Sequence, residues 1–364
     1  IGLINMQVDS PLKELNEDRP LAAMPFAGKF RLMDFVLSGM VNAGIETVGR
    51  MLPRHARPVL DHVRSGKEWN LAHKDDGLFY LPMEVDEIVQ PVTGDIGAYY
   101  RNLRFVEAGS KKYLVLSYCR NLHNIDYDRV LHFHRQHNAH VTLVCQKQPD
   151  ARPAQAYVVK AAADGRITGI AEKDSLAAGD NLFMEALLID CGIFTRSVRQ
   201  AYAQGKESFF LDVLGAELKR LRVFGYPYSS YAARITSIRD YYKASMDLLN
   251  VDNLRTVFKP GLHIRTKIKD EAPAKYMEEA QVKNSIIANG CIIEGRVENS
   301  ILFRNVRVGK NACVQNSIVM QRAVIGEDAQ VDCVICDKNV LIQPEAVLQG
   351  NKDKPLCIAK YGEK

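Results

Sequence analysis

No stretch of the 364 residues is apolar over anything like the ~20 residues that a membrane span needs. Apolar stretches such as Tyr113 to Ser117 and Val141 to Cys145 are strand-sized, so no bilayer crossing is expected. No tract is dominated by Pro, Ser or Gln, and with 47% apolar and 25% charged residues the chain reads as globular rather than disordered. Charge of one sign is also scarce: 48 basic residues against 43 acidic give +5, too dilute for a nucleic-acid footprint and better suited to small anionic ligands. The start, Ile1-Gly-Leu-Ile, lacks a basic-then-apolar leader and reads as trimmed at the front, with no export signal expected. The eight cysteines are scattered and several lie in apolar runs, as reduced thiols do, which predicts a cytoplasmic protein.

The length predicts two domains, possibly three. From Ile1 to Leu249, short β-rich runs alternate with helical text, the pattern of an α/β domain. Strands are expected at Ile1–Met6, Glu46–Met51, Tyr113–Ser117, Val141–Gln146, Arg166–Glu172 and Val223–Tyr228. Helices are expected at Phe35–Ala43, Pro58–Val63, Asp128–His137, Val198–Gln204, Leu211–Leu221 and Ile238–Leu249. In the last, Ile238, Tyr241, Tyr242, Met246 and Leu249 form one apolar face, which should close the domain against its sheet. Residues 250–275 carry Pro260, Gly261 and Pro273 in polar text and read as a linker, so the domains expected are 1–249 and 276–364.

The second segment is an internal repeat. Val282-Lys-Asn-Ser-Ile-Ile returns as Val297-Glu-Asn-Ser-Ile-Leu, Val314-Gln-Asn-Ser-Ile-Val and, more weakly, Val331-Asp-Cys-Val-Ile-Cys. A second beat follows each copy, at Ile293-Glu-Gly295, Val308-Gly309, Ile325-Gly326 and Ile342-Gln343. Three six-residue sides make a triangular coil whose inward apolar residues stack on the next coil, so this segment is expected to be a parallel β-helix of hexapeptide repeats. A hexapeptide-repeat acyltransferase would need a histidine in or beside the coils, and none occurs from Tyr276 to Lys364.

The most distinctive run is Arg19-Pro-Leu-Ala-Ala-Met-Pro25-Phe26-Ala-Gly28-Lys29-Phe-Arg31-Leu-Met-Asp34-Phe35. A Pro- and Gly-containing turn there gathers Arg19, Lys29 and Arg31 beside a helix start, which suits either phosphate binding or a solvated basic turn. The run resembles the Arg-Ala-Lys-Pro-Ala-Val-Pro-Phe-Gly-Gly-Lys-Tyr-Arg-Leu-Ile-Asp-Phe signature of bacterial glucose-1-phosphate adenylyltransferases. Further matches are Asn124-Ile-Asp126-Tyr127, Glu172-Lys173, Tyr242 with Met246-Asp247-Leu248, and Pro273-Ala-Lys275-Tyr276. The resemblance implies a Rossmann-like α/β nucleotidyltransferase domain followed by a left-handed β-helix. Family enzymes join glucose 1-phosphate to ATP with Mg²⁺ and release pyrophosphate.

The family's catalytic parts are missing here. Its glycine-rich phosphate loop is matched by Met6-Gln7-Val8-Asp9-Ser10-Pro11, without a glycine. Its two metal-binding aspartates fall on Arg120, after Cys119, and on Arg234. Its signature lysine falls on Leu21, and a further aspartate on Gly97. Two acids exchanged for two arginines reverse the local charge, so no Mg²⁺, no other cofactor and no catalytic residue are expected in this chain. Glu172 and Lys173, which match the sugar-phosphate pair, survive as a vestige or as a solvated strand end.

This pattern resembles the catalytically degenerate partner subunit of the family. The resemblance implies a regulatory chain of glycogen synthesis in a heterotetramer with a Mg²⁺-dependent catalytic subunit. Activating sugar phosphates bind in the family where the basic signature meets the β-helix; Arg19, Lys29, Arg31, Arg307 and Lys338 match or fall near that site. Arg120 and Arg234 offer a second possibility, two guanidiniums holding a phosphate in place of a metal. The alternative to a degenerate chain is an active nucleotidyltransferase with displaced metal ligands. His132, His134, His137 and His140 read as a helix surface rather than a metal site, and Cys333-Val-Ile-Cys336 as core filling.

Overall fold

The computed structural model describes residues 1–7, 12, 15–73, 76–83, 94–148 and 152–364. They form two compact units, one within residues 1–8, 36–56 and 64–230, the other within 9–35, 57–63 and 231–364. Among the described residues no helix is long and apolar enough to cross a membrane.

The first unit is an α/β domain on a nine-stranded mixed sheet. Strand Gly2–Asn5 lies parallel between Thr47–Met51 and Tyr113–Tyr118, and Gly77–Leu81 continues the parallel half. Asn181–Asp190 runs antiparallel to Tyr113–Tyr118 and also pairs Val141–Lys147 and Arg152–Ala161, with Ile167–Leu176 and Val223–Pro227 beyond them. Burial on both faces explains why the central strands are continuous apolar runs rather than alternating ones. Each expected strand forms, with ends shifted by a few residues. Strands Gly77–Leu81, Arg152–Ala161 and Asn181–Asp190 were not expected, nor were helices Ile96–Arg101 and Leu103–Ala108. The helix expected from Val198 starts at Cys191, because the Asp190 carboxylate accepts the amides of Gly192 and Ile193 and caps it. In place of the helix expected over Leu211–Leu221 there is a π-turn, Phe209–Leu214, and one α-turn, Gly215–Glu217.

The second unit contains the signature and the repeats. Pro25–Phe26 and Phe30–Arg31 form a hairpin across Ala27-Gly28-Lys29. Gly28 sits at φ 78°, and a Cβ there would press on Ile286, so the turn demands glycine. Phe26, Phe30, Phe35, Phe258 and Tyr241 pack edge-on or tilted with ring centroids 5.2 to 6.3 Å apart. Helix Ile238–Asp247, expected to close the α/β sheet, groups instead with this unit: Tyr241 Oη donates to Pro25 O (2.6 Å) and Tyr242 Oη to Asn316 O (2.5 Å). Asn250 then caps a further helix, Val251–Val257, at the start of the stretch read as a linker.

The repeats form a left-handed parallel β-helix of three five-stranded sheets. Ile286, Ile301, Ile318 and Ile335 stack in register, as do Val282, Val297, Val314 and Val331. The recurring Asn-Ser has a physical cause at one corner. Asn284, Asn299 and Asn316 turn the chain at φ 44° to 47°, a left-handed conformation that asparagine tolerates. Each following serine hydroxyl then accepts an amide from the next coil: Ser300 N to Ser285 Oγ (3.1 Å), Ser317 N to Ser300 Oγ (3.0 Å), Val334 N to Ser317 Oγ (3.0 Å). The fourth copy, Cys333-Val334, ends the ladder because valine has no acceptor to pass on.

Candidate functional site

The second unit concentrates charge where the signature meets one β-helix corner. In successive coils this corner holds Phe303-Arg304, Met320-Gln321 and Asp337-Lys338, two and three residues beyond the registered Ile301, Ile318 and Ile335. Phe303 and Met320 are buried apolar residues; the third coil places Asp337 in their position, equally buried. Its carboxylate pairs with the Arg19 guanidinium, also buried, and accepts the Lys338 amide. Asp18, next to Arg19, holds Lys360 at 3.0 Å, and the Tyr361 amide donates to Lys338 O (3.2 Å). The neighbouring Asp18 and Arg19 thus fix one basic and one acidic residue of the β-helix segment, Lys360 and Asp337.

Arg31 ends the hairpin. Its Nη1 donates to Pro58 O (2.6 Å), and its amide donates to the buried Asp34 carboxylate, which also accepts from Thr266 Oγ1 (2.6 Å) and pairs with His62 Nε2 (2.7 Å). Burial pushes the Arg31 guanidinium down to about 10, still charged at neutral pH. Burial first, then the charges of Arg19 and Arg31, push the Lys338 ammonium down to about 7. Arg31 also faces Lys269, with Arg304 and Arg322, and Glu271 pairs with Arg304 at 3.0 Å. Cations outnumber carboxylates around Lys338, an arrangement that a phosphate dianion would relieve.

Of the residues expected at an anion site, Arg19, Arg31 and Lys338 come together. Arg307 projects from the exposed face of strand Arg307–Val308, and the Lys29 ammonium lies over the Phe30 ring at 5.1 Å. Sequence reading missed Asp337, Lys360, Arg304 and Arg322. Asp337 had a signal, an acid at a position that two earlier coils fill with Phe and Met.

In the first unit, Arg120 follows the end of strand Tyr113–Tyr118. Its Nη1 lies 3.7 Å from Glu185 Oε1, and Asn121 Nδ2 donates to Glu185 Oε2 (3.1 Å). Glu185 is 3% exposed and sits at φ 53° in a bulge of strand Asn181–Asp190, which turns a carboxylate inward from an apolar strand. Near the same strand ends, Tyr118 Oη donates to Asp95 (2.6 Å), Tyr99 and Tyr118 hydroxyls meet at 2.6 Å, and Asp95 accepts the Phe209 amide (2.8 Å). Burial raises the Asp95 carboxyl above its ordinary range. A guanidinium already paired to a carboxylate cannot ligate Mg²⁺, so position 120 does not fit the family's metal. Arg234 is a buried residue of strand Ala233–Arg234 in the second unit, and Leu21 is buried in a 3₁₀ turn, Leu21–Ala23. Gly97 lies inside helix Ile96–Arg101, and Val8 to Pro11 of the phosphate-loop match lie outside the described residues.

Glu172 and Lys173 occupy successive positions of strand Ile167–Leu176, so their side chains alternate across the sheet. Lys173 Nζ is held by Asp180 at 2.7 and 2.9 Å, and Glu172 accepts from Gln155 Nε2 (3.0 Å). The histidine cluster is not a metal site: His134 is buried with Nδ1 2.8 Å from Thr142 Oγ1, and His137 Nδ1 lies 2.9 Å from Phe133 O. Cys336 fills the β-helix core, whereas Cys333 takes the corner position that asparagine holds in earlier coils.

Residues 10–249 match the family model described as nucleotidyl transferase, and residues 272–355 the one described as GlmU-like, C-terminal hexapeptide. Among similar curated proteins, "Glycogen biosynthesis protein GlgD" of Bacillus subtilis is 37% identical over 96% of this chain and 92% of its own length. The protein of the same name from Geobacillus stearothermophilus is also 37% identical, with the same coverage of both chains. A glucose-1-phosphate adenylyltransferase of Fusobacterium nucleatum is 28% identical over 83% of this chain and 80% of its own length.

Proposed function

We propose, from the premise that the chain belongs to the nucleotidyl transferase family, that it is a regulatory, catalytically degenerate subunit of a glucose-1-phosphate adenylyltransferase in glycogen biosynthesis. The observation that carries this reading is the Arg120–Glu185 pair, an internal ion pair where the family resemblance expects a metal-ligating acid. Such a pair stabilises a fold without offering a ligand to Mg²⁺. Leu21, buried in its turn, supplies no ammonium either. The names of the relatives, glycogen biosynthesis protein and glucose-1-phosphate adenylyltransferase, support the pathway and the reaction class of this reading.

The regulatory half rests on the basic corner. Arg19, Arg31, Lys338 and Lys360 bind a sugar phosphate; guanidinium forks hold its phosphate oxygens and the Lys338 ammonium adds a point charge. Bound anion offsets the burial, and the repulsion from Arg19 and Arg31, that depress Lys338, and draws the signature segment and the β-helix corner together. That strengthened tie is what a catalytic partner in a cytoplasmic heterotetramer senses. Lys29 and Arg307, exposed and outside this corner, add charge around it rather than direct contacts. Glu172 and Lys173 are vestigial, each engaged by another partner.

Turnover of glucose 1-phosphate with Mg²⁺-ATP, measured for this chain alone and mixed with a catalytic subunit, tests the reading. Little or no activity alone, together with partner kinetics altered by mixing and further by a sugar bisphosphate, is the expected outcome. Full activity alone would instead establish an enzyme with displaced metal ligands. Unchanged partner kinetics would remove the regulatory role.

A further inference from the structure

We propose that the second unit holds a further binding site, a cleft for a sugar that carries one phosphate, between helix Ile238–Asp247 and the asparagine row of the β-helix. The cleft has a volume of about 680 Å³, in the ordinary range for a small-molecule site, and its lining residues all belong to the second unit. Arg19, Arg31, Lys338 and Lys360 do not line it, so the inference stands apart from the reading of the basic corner. Its floor is the row Asn284, Asn299 and Asn316, one amide per coil at the ~4.8 Å spacing of paired strands. Arg239, Tyr242, Lys243 and Met246 recur at three- and four-residue steps and present one helix face to that floor. Lys352 and Asp353 make the opposite wall, on a loop fixed by Asn351 Oδ1, which accepts the amides of Asp353 (3.0 Å) and Lys354 (2.7 Å). Arg239 pairs with Asp353 at 2.6 Å and joins the two walls.

The groups left unspent in the cleft set the ligand. Asn284 Nδ2 donates to Asn299 Oδ1 (2.8 Å), but the amide row breaks there, because Asn316 Nδ2 turns instead to Asp332 Oδ1 (2.8 Å). Asn299 Nδ2 and Asn316 Oδ1, a donor and an acceptor in successive coils, thus have no hydrogen-bond partner among the described residues. Asp247 gives Oδ2 to Tyr231 Oη (3.0 Å) and keeps Oδ1. The Lys243 and Lys352 ammoniums, one on each wall, are exposed and make no ion pair or hydrogen bond among the described residues. A hydroxyl both donates and accepts, so a polyol can meet an amide N–H, an amide oxygen and a carboxylate oxygen together. Two ammoniums without a carboxylate partner suit an anionic group, which a phosphate supplies with oxygens for both. A bare phosphate would leave the amide row unused, and a neutral sugar would leave the ammoniums unused. A nucleotide fits poorly, because the one aromatic in the lining, Tyr242, is 3% exposed and offers no face on which a base could stack. Met246 and Leu249 supply apolar surface for the C–H face of the sugar.

The test uses the full chain with isotope-labelled methionine methyls and follows the Met246 methyl by NMR, its resonance identified with M246L. With glucose 6-phosphate as the probe, that resonance should shift saturably, and K243M/K352M should weaken the response about tenfold. N299G removes the amide and keeps the left-handed corner, and it should weaken the response severalfold. Glucose alone and inorganic phosphate alone should each need about tenfold higher concentrations. K338M should leave the Met246 response unchanged, because Lys338 does not line the cleft. Absence of any shift, or an affinity unchanged in K243M/K352M, overturns the site. Equal affinity for glucose, or for inorganic phosphate, overturns the assignment of a phosphorylated sugar. A Met246 response lost in K338M would move the ligand to the basic corner, which sinks this inference and leaves the regulatory reading standing.

Discussion

Arg120 is tolerated because Glu185 faces it, so the two should be judged as a pair. E185Q leaves a guanidinium that is a quarter exposed without its counter-charge. Loss of a partner from a fully buried pair typically costs ~3–5 kcal/mol, and partial solvation of Arg120 reduces the expected loss to about 2 kcal/mol. Denaturant unfolding checks this, and the double variant R120M/E185M should lose less than E185Q, since no charge is then stranded. His123 makes a second residue-scale prediction. Both ring nitrogens are buried without a hydrogen-bond partner among the described residues, and burial pushes the imidazole down to about 4. The unfolded chain takes up that proton near pH 6.5, so stability is complete above 6.5 and falls by up to ~3 kcal/mol as pH drops toward 4. H123L should flatten the unfolding free energy over that interval; an unchanged slope would assign acid sensitivity to other groups.

Serine ladders and glycine corners hold the β-helix coils together, and each makes its own demand on substitution. Ser300 Oγ is the acceptor for the Ser317 amide in a buried corner, and S300A would leave that N–H unmet at a cost of about 1–3 kcal/mol. N299G should cost far less than N299V, because the corner needs φ near 47° rather than an amide side chain. G309A places a Cβ 2.9 Å from the Glu327 amide nitrogen of the next coil, and its thermal unfolding midpoint should fall further than that of N299G. These contacts explain what sequence made legible. Period, corner conformation and hairpin turn are local requirements, so the repeats and the Pro25 to Arg31 signature declare themselves. Glu185 and Asp337 did not, because their partners lie 65 and 318 residues away, and only an acid in an otherwise apolar strand or coil position marks them. Short strands such as Gly77–Leu81 carry too little pattern to separate from loops, and the placement of helix Ile238–Asp247 depended on Pro25 and Asn316, which its own apolar face does not specify.

For the whole molecule, the basic corner couples folding, proton uptake and ligand binding through Lys338. Its ammonium is depressed to about 7 in the folded chain and unperturbed near 10.4 in the unfolded chain. The unfolded chain therefore binds the extra proton between those values, and this group makes folding less favourable as pH falls from about 10 to 7. K338M removes that burden, so in the absence of ligand its thermal midpoint at neutral pH should exceed that of the natural chain. A sugar bisphosphate reverses the balance, since the bound anion favours the charged amine. Binding above pH 7 should then take up close to one proton, and affinity should fall by up to tenfold per pH unit until the amine's value in the complex is reached. Calorimetry in buffers of differing ionisation enthalpy measures that uptake directly. In K338M the proton uptake assigned to the amine should vanish and the ligand-induced rise in midpoint should shrink together. Persistence of both would place the anion away from this corner.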